Sequence, residues 1–341
     1  MMTAPDLMLP MMLKAARAAI VDPARSFNVR APADAEVRFE LFHAMGSLCS
    51  QKVRAVMEEK SLAYRSNAMV VGGRAIPAEN YHPDYVRLRL RGGKDIGASI
   101  VTGYTGNVSV DAVGFDPCVV PLLVDRQRGR VIVDSLQICL YLDSECAVGD
   151  SLVPPSLVDE TMRQVKIVDE TPHPVLLYGF NPDCDNRPQQ LKESMRVTYD
   201  KKIAGLTALR DANREDPELV VAYEAKIAKE AGGRAVGFDD EYQRRAHRTT
   251  RAIVDAFTRE LSESHGPFAL GEAFTLADLV WSVSLIRMQY LGLSHMWSDS
   301  PRVQEYVARL ATRPSIQKEA VQATRTSFPP SAYIADLIEQ H

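Results

Sequence analysis

The chain has 341 residues, with 40 Lys plus Arg against 44 Asp plus Glu and a formal net charge of -4. This balance excludes a generic polyanion binder, because no summed positive field is available to neutralise phosphates. Its 46% hydrophobic and 25% charged residues are typical of a soluble globular protein, and no run approaches the roughly 20 apolar residues that cross a bilayer. We expect no nucleic-acid or membrane partner, and about two domains.

The N-terminal sequence is rich in Met, has no cation before its apolar stretch and is interrupted by prolines, so it does not match a secretory signal. The five cysteines are an odd number, with no CxxC spacing and no histidine partners at zinc-finger distances. This pattern predicts neither a disulfide framework nor a metal site. It favours a reducing, cytoplasmic location.

Residues 1–36 precede the first clear hydrophobic pattern and are predicted to form a peripheral arm. Val37, Phe39 and Leu41 then alternate with polar residues, which predicts a strand. The following segment, SQKVRAVMEEK, places its apolar residues on one helical face. The predicted domain therefore opens with a strand, a turn and a helix.

A second strand is predicted within 62–71, and the runs CVVPLLVD and RVIVD predict a hairpin whose turn contains Gly129. Ser135 can cap the helix that follows. The resulting order, β-α-β and then β-β-α, is that of a thioredoxin-like domain, which we place at 37–148. Its Gly-rich middle, with RGGKDIG and TGYTGN, shows no clear period and is predicted to be an inserted loop at about 88–114.

From Pro154 onward only helix-like windows follow, so residues 154–341 are predicted to form an all-α domain. In the sequence FTLADLVWSVSLIRMQYLG, Thr275 and Asp278 have the spacing of a capping box with Asp in place of Glu. The helix after this box is apolar nearly all round. It should therefore be buried at the centre of the second domain.

The strongest chemical signal is the sequence Gly46-Ser47-Leu48-Cys49-Ser50, between the first strand and the first helix. A helix N-terminus carries partial positive charge and free amide donors, which stabilise a thiolate or a bound anion. Cys49 is thus a candidate nucleophile with a depressed pKa, and Ser47 a candidate hydroxyl donor. The alternative is that Cys49 is a small buried apolar residue and Ser47 or Ser50 only caps the helix.

Two further features are unusual for the predicted sheet. Pro121 cannot donate to a central ladder, so its position is predicted to be an edge, a bulge or a cis-peptide turn. Asp134 and Ser135 open the next helix, where a carboxylate, a hydroxyl and free amides can hold the charged end of a small ligand. The alternative for this pair is a simple helix cap.

His173 lies between two prolines, and a lone histidine in such a place is more often structural than catalytic. A later segment, YQRRAHRTTR, places four arginines at helical spacing. Such a cluster is usually a solvated helix face, and an anion-binding lip over the active site is the alternative. These four residues are Arg244, Arg245, Arg248 and Arg251.

Taken together, the S-x-C before the first helix, V-V-P before a hairpin, D-S at the next helix and the later F-T-L-A-D resemble the cytosolic glutathione transferase superfamily. Longer segments, including FELFHAMGSLCSQKVRAVMEEK and DETPHPVLLYG, resemble the branch of reductive dehalogenases that act on 2,5-dichloro- and tetrachlorohydroquinone. The resemblance implies an α+β thioredoxin-like N-terminal domain followed by an all-α C-terminal domain. It also implies that glutathione is the co-substrate and that the protein is a homodimer.

The resemblance assigns roles to six residues of this chain. It implies that Val120 and Pro121 form a Val-cis-Pro turn that pairs with the cysteinyl part of glutathione. Asp134 and Ser135 would receive its γ-glutamyl end. Ser47 would lie near the glutathione sulfur, and Cys49 would take the glutathionyl group from a conjugate in thiol-disulfide exchange. The implied activity is reductive dehalogenation of a chlorinated hydroquinone.

The sequence is also compatible with two other functions. One is a glutathione transferase or lyase acting on another aromatic, such as a β-aryl ether, which would need glutathione but not Cys49. The other is a binding module with the same fold. Such a module would have no need of the S-x-C motif, Pro121 and the D-S pair together, so their joint presence favours an enzyme.

Overall fold

The computed structural model describes residues 4–72, 77–107, 110, 114–146 and 148–337, with side chains from Met8 onward. Within these residues a five-stranded sheet forms the N-terminal half, in the order β1-β3-β2-β4-β5. Strands β2 and β3 are parallel, and the other neighbours are antiparallel. The bounds of the strands are β1 Ser26–Val29, β2 Phe39–His43, β3 Tyr64–Ala68, β4 Leu122–Asp125 and β5 Arg130–Val133.

Among the described residues four helices accompany this sheet, and the predicted order β-α-β and then β-β-α is confirmed. Leu41 and Leu123 point into one core, which they share with α2 and α4, whereas Phe42 and Leu122 point into a second core on the opposite face. This alternation follows from the two-residue repeat of a strand. The helices are α1 Ala4–Arg17, α2 Leu48–Glu59, α3 Pro83–Asp95 and α4 Ser135–Glu145.

The described residues from 148 to 337 contain helices and connecting segments but no β-strand longer than an isolated bridge. The predicted central helix is α10, in which the Trp281 side chain is fully buried. Its capping box is confirmed, since Asp278 accepts hydrogen bonds from the Thr275 amide (2.9 Å) and hydroxyl (3.0 Å). The helices are α5 Val158–Glu170, α6 His173–Tyr178, α7 Gln189–Ala212, α8 Pro217–Gly237, α9 Asp240–Glu263, α10 Leu276–Tyr290, α11 Pro301–Ala311 and α12 314–327, which includes a π-helical turn at Gln317–Gln322.

The N-terminal arm is not peripheral, which corrects the prediction for residues 1–36. Strand β1 pairs with β3 at the sheet edge, and α1 packs on α3. Leu9, Leu13 and Ala16 of α1 are buried at helical spacing. Arg17, at the end of α1, forms an ion pair with the fully buried Glu40 of β2. The sequence signal was weak because Pro10 lies inside α1, where a proline usually argues against a helix.

The predicted inserted loop at about 88–114 is wrong for its first part, because α3 continues to Asp95. Gly92 and Gly93 lie inside this helix and permit close packing. A Cβ at Gly92 would lie 2.8 Å from a methyl group of Val133, and one at Gly93 would lie 2.6 Å from the ring of Phe115. These glycines therefore reflect tight contact rather than a loop. Residues 96–107 contain turns and one isolated bridge, and 108–109 and 111–113 lie outside the described residues.

The sheet half and the helical half share one hydrophobic core. Val53 and Val56 of α2 belong to the same buried cluster as Leu285 of α10. Ion pairs also cross between the halves, from Arg313 to Glu59 at 2.6 Å and from Arg54 of α2 to Glu319 of α12 at 2.6 Å. Helix α2 of the N-terminal half is therefore held largely by the C-terminal half.

Candidate active site

The loop that precedes α2 is held by two buried arginines. Arg54, from α2 itself, donates to the carbonyls of the first two residues of the loop 44–46, at 3.1 Å each. Arg287, from α10, donates to the carbonyl of the third at 2.8 Å. Glu319 neutralises Arg54. All three carbonyls are thus tied to charged side chains, which fixes the position from which α2 begins.

Ser47 and Cys49 lie at the start of α2, as predicted. Ser47 is the N-cap, and its hydroxyl accepts a hydrogen bond from the amide of Ser50 at 3.3 Å. Cys49 follows in the first turn and is partly buried. Its thiol interacts with the hydroxyl of Ser135, at the start of α4. The structure therefore brings the S-x-C motif at the start of α2 close to the D-S pair at the start of α4.

The predicted depression of the Cys49 pKa is wrong. Burial raises the pKa of the Cys49 thiol above its ordinary value, and the nearby Asp169 adds to this effect. Lys52, one turn further along α2, acts in the opposite direction, as does Ser135. However, the Lys52 ammonium lies 2.7 Å from the Asp169 carboxylate, so much of its charge is compensated. Desolvation outweighs the helix N-terminus here, and Cys49 rests as a thiol at neutral pH.

The peptide bond between Val120 and Pro121 is cis. Side chains hold the carbonyls around it, because Asn80 donates to Cys118 at 2.7 Å and Tyr85 donates to Val119 at 2.7 Å. Within the described residues, the backbone of Val120 itself makes no hydrogen bond to the protein. Its amide and carbonyl are therefore available to an extended ligand.

Asp134 has a positive φ of 74° and caps α4. Its Oδ1 accepts hydrogen bonds from the amides of Leu136 (3.0 Å) and Gln137 (3.1 Å). Burial raises the pKa of this carboxyl, and the two amides partly offset the effect. Asp134 thus serves as the cap and also faces the same space as Ser135.

One cavity of about 800 Å³ brings the six predicted residues together. Its volume lies within the roughly 300–1,000 Å³ range of ligand sites in proteins. Side chains of α6, α7, α8, α10 and the segment after α12 complete its walls, so both halves of the chain contribute. The predicted residues in its lining are Ser47, Cys49, Val120, Pro121, Asp134 and Ser135.

Basic residues outnumber acidic ones in the described lining of this cavity, although the chain is acidic overall. The excess favours an anionic ligand. The basic residues are Arg25, Arg89, Lys201, Lys202, Lys226, Lys229 and Arg287, and the acidic ones are Asp116, Asp134 and Glu230.

Part of this charge forms a buried cluster between α7, α8 and Asp116. Lys226 lies 2.8 Å from Asp116 and 2.8 Å from Glu230, and Lys202 lies 3.1 Å from Glu230. Burial favours the neutral acid, but the two ammonium groups outweigh it and lower the pKa of Glu230 to about 2. Lys229 also lies 3.0 Å from Asp116. The cluster was not predicted, because its members are dispersed in the sequence and meet only in the fold.

The glycine at position 46 has a steric explanation. A Cβ at this position would lie 2.9 Å from the Cβ of Ser327 and 3.0 Å from the ring of Phe328. Gly46 therefore allows the chain after α12 to close over the start of α2. The segment Ser327–Pro329 then forms part of the cavity wall.

His173, interpreted as structural from the sequence, lines the same cavity. Its Nε2 lies 3.0 Å from the Ser284 hydroxyl, and its Nδ1 has no hydrogen-bond partner among the described residues. Burial, with the nearby charges of Lys52 and Arg287, lowers the pKa of His173 to about 3. The imidazole is therefore neutral and presents one ring nitrogen with unused hydrogen-bonding capacity.

The arginine-rich face of α9 lies elsewhere. Three of its four arginines pair with neighbouring carboxylates, and the guanidinium of the fourth lies over the ring of Tyr242. None of the four belongs to the described lining of the cavity. This arrangement supports the interpretation as a solvated face. The pairs are Arg244 with Asp183, Arg248 with Glu241 and Arg251 with Asp255.

The described residues contain no cluster of three or more His, Cys, Asp or Glu side chains that could hold a metal ion. In the same part of the chain, no helix has the length and apolar character needed to span a membrane. The five cysteines all carry free thiols.

Comparison with known proteins agrees with this geometry. Residues 46–145 match the family model of the glutathione S-transferase N-terminal domain, and residues 239–309 match that of the C-terminal domain. The 2,5-dichlorohydroquinone reductive dechlorinase of Sphingobium indicum is 39% identical over 333 residues, which covers 96% of this chain and 94% of that protein. The chain belongs to the glutathione S-transferase family.

More distant relatives share the glutathione S-transferase architecture. The tetrachloro-p-hydroquinone reductive dehalogenase of Sphingobium chlorophenolicum is 24% identical over 285 residues, covering 82% of this chain and 95% of that protein. The crystal structure of a β-etherase from Sphingobium sp. strain SYK-6 has a TM-score of 0.53 and 19% identity, and it covers 83% of this chain and 98% of that one. The β-etherase likeness shows the fold alone. The fold is an α+β thioredoxin-like N-terminal domain followed by an all-α C-terminal domain.

Sequence reasoning missed several residues of this glutathione S-transferase site. Lys52 could have been noticed, because it stands three positions after Cys49 on the same predicted helix face. Arg54 and Arg287 gave no local signal. Arg54 reaches the loop 44–46 from further along α2, and Arg287 reaches it from α10 of the second domain. Their role depends on tertiary contacts that spacing alone does not reveal.

Proposed function

We propose that this chain is a glutathione-dependent reductive dehalogenase of chlorinated hydroquinones. The observation that carries the proposal is the position of Cys49, whose thiol shares one cavity with the residues assigned to glutathione. A transferase that only conjugates glutathione has no use for this second thiol. The dechlorinase that is 39% identical over nearly the whole chain supports the substrate class.

We assign glutathione to the part of the cavity formed by the helix starts and the cis turn. The amide and carbonyl of Val120, which pair with no described residue, bind the cysteinyl backbone beside the cis peptide bond. Asp134 and Ser135 bind the γ-glutamyl end at the N-terminus of α4. Ser47 donates its hydroxyl to the glutathione sulfur, since its own oxygen is already fixed by the Ser50 amide.

The proposed reaction has three steps. The glutathione thiolate forms a C–S bond to the quinonoid tautomer of the substrate, and chloride leaves. Cys49, which rests as a thiol, then loses its proton and attacks the glutathione sulfur, so an S–S bond forms, the C–S bond breaks and the ring carbon takes a proton. A second glutathione attacks the mixed disulfide, which releases oxidised glutathione and the Cys49 thiolate. In sum, two glutathione molecules and one chlorinated hydroquinone give one oxidised glutathione, one chloride, one proton and one hydroquinone that carries hydrogen in place of chlorine.

The test is the stoichiometry of purified protein incubated anaerobically with glutathione and 2,5-dichlorohydroquinone. We expect one chloride and one oxidised glutathione for each hydroquinone that loses a chlorine. A parallel incubation with a β-aryl ether tests the alternative activity of a glutathione transferase or lyase. That activity would release a phenol and a glutathione thioether without oxidised glutathione. Absence of chloride release with the chlorinated substrate would refute the proposal.

Ser135→Ala tests the glutathione assignment. Loss of one hydrogen bond to the γ-glutamyl end should raise the Kd for glutathione about 5- to 10-fold. Isothermal titration calorimetry measures this change. Ser144→Ala is the matched control, because Ser144 lies on the same helix, is exposed and bonds only to a carbonyl of its own turn. An unchanged Kd in Ser135→Ala would remove this residue from the glutathione site.

We further propose a cytoplasmic homodimer. Cytoplasmic location suits free thiols, since a reducing compartment keeps Cys49 available for exchange. The homodimer follows the symmetric pairing expected within the glutathione S-transferase family. Light scattering on the purified protein should give twice the chain mass of 37.8 kDa.

A further inference from the structure

Arg287 is a buried cation of α10 that lines the cavity. Its side chain is only 3% exposed. Its Nη2 group donates to the carbonyl of Gly46 at 2.8 Å and to Oε1 of Gln51 at 3.1 Å. Its Nε has no hydrogen-bond partner among the described residues. The guanidinium is therefore held rigidly beside Cys49 while part of its hydrogen-bonding capacity stays unused.

No carboxylate in the described part of the chain forms an ion pair with Arg287. Lys52 and Arg54, the other cations near the start of α2, are each paired with a carboxylate. Burial lowers the pKa of Arg287 only to about 10, so it remains charged at neutral pH. A buried charge without a counter-ion is costly, and an anionic ligand would offset that cost.

The surroundings of Arg287 indicate the chemistry of this anion. The ring of Phe328 lies 4.7 Å from the guanidinium carbon, and apolar side chains of α6 and α7 line the same space. His173 lines the cavity as a neutral group, and its Nδ1 has no hydrogen-bond partner among the described residues. These surroundings fit a single aromatic ring that carries an ionised oxygen. The apolar side chains are Leu177, Leu191 and Met195.

We propose that Arg287 binds the ionised hydroxyl of the aromatic substrate as a phenolate, and that His173 hydrogen-bonds the same substrate. Arginine suits this role because it stays charged and offers several donors in one plane. The inference rests on the proposed function and adds a selection rule: rings with a free hydroxyl bind, and fully etherified rings do not. Binding as phenolate also prepares the ring for the keto tautomer that glutathione attacks.

The experiment uses 2-chloro-4-nitrophenol, whose phenolate has a visible absorption band. Bound to the wild-type protein, the probe should ionise at a pH about one unit lower than in free solution, because an opposite charge at close range favours the charged form. Competition with 2,5-dichlorohydroquinone localises the probe in the cavity. In Arg287→Gln the shift should vanish, and in Arg287→Lys most of it should persist.

The controls separate binding from folding. Gln51→Leu removes a contact of Arg287 but keeps its charge, so the probe shift should stay. Arg302→Gln removes an arginine that donates to the carbonyl of Gly266 far from the cavity, and should also leave the shift intact. Glutathione affinity should stay within about twofold in Arg302→Gln, and kcat/KM for the hydroquinone should fall 10-fold or more in Arg287→Gln but not in Arg302→Gln.

The outcomes distinguish this inference from the proposed function. A probe shift that depends on Arg287 supports the phenolate site even if wild type releases no chloride, because the probe reports binding alone. Equal ionisation of bound and free probe in wild type overturns the inference. So does a shift that survives in Arg287→Gln, whether or not dehalogenation is observed.

Discussion

Cys49→Ser should convert the proposed dehalogenase into an enzyme that stops after the first step. We expect chloride release to continue for one turnover, the glutathionyl hydroquinone to accumulate, and formation of the reduced product to fall by about 1,000-fold or more. The reason is that a serine hydroxyl, unlike a thiolate, cannot take the glutathionyl group at neutral pH. Mass spectrometry of the products, with chloride measured in parallel, follows both steps.

Cys184→Ser is the matched control, because Cys184 is the exposed cysteine of the described residues and lies outside the cavity lining. It should turn over like wild type. If Cys49→Ser instead forms the dechlorinated hydroquinone without a conjugate, the thiol-disulfide step is wrong.

The raised pKa of Cys49 adds a pH dependence to the same variant series. The thiolate fraction grows as the pH rises, so alkylation of Cys49 by iodoacetamide should be slower than that of free cysteine at pH 7.5 and should accelerate through the alkaline range. An apparent pKa below that of free cysteine would contradict the structural account.

Glu230→Gln should cost about 3–5 kcal/mol of stability, because it leaves Lys202 and Lys226 buried with one carboxylate fewer. For a chain of this size we expect the Tm to fall by roughly 5–10 °C. Thermal unfolding followed by circular dichroism measures the change. Glu241→Gln removes an exposed partner of Arg248 and serves as control, with an expected loss of about 0–1 kcal/mol.

The pH dependence of this pair has a definite sign. The folded-state pKa of Glu230 is lowered to about 2, below its value in the unfolded chain near 4.5. Its contribution is therefore fully present above about pH 5 and is lost as the pH falls toward 2. Wild type and Glu230→Gln should differ most at neutral pH and converge in acid. A constant difference down to pH 3 would refute the assignment of the shift.

Local patterns were sufficient for much of the fold. Alternation located β2 and the hairpin, and the spacing of Thr275 and Asp278 located α10, because each signal depends on neighbours within one element. The prediction for the N-terminal arm failed because its place depends on partners that are distant in the sequence. β1 owes its place to pairing with β3, and Arg17 is held by the buried Glu40, a partner 23 positions away.

In the candidate site, too, features with a local sequence signal could be predicted and features that depend on tertiary contacts could not. Ser47 and Ser135 could be predicted because a helix start has a sequence signature, and the resemblance then supplied Val120 and Pro121. The sign of the Cys49 pKa could not be predicted, since it depends on burial under α10 and on Asp169 from α5. Gly92 and Gly93 suggested a loop, because the sequence alone does not distinguish a glycine required by close packing from a glycine required by a turn.

The common core of the two halves has a consequence for biosynthesis. Helix α2 leaves the ribosome well before the side chains that cover it, which come from α10 and α12. Arg287 and Glu319 must arrive before the loop 44–46 is fixed. Although N-terminal regions usually fold first during synthesis, Cys49 is positioned only when α10 and α12 are in place, so a chain that stops before these helices carries no finished cavity.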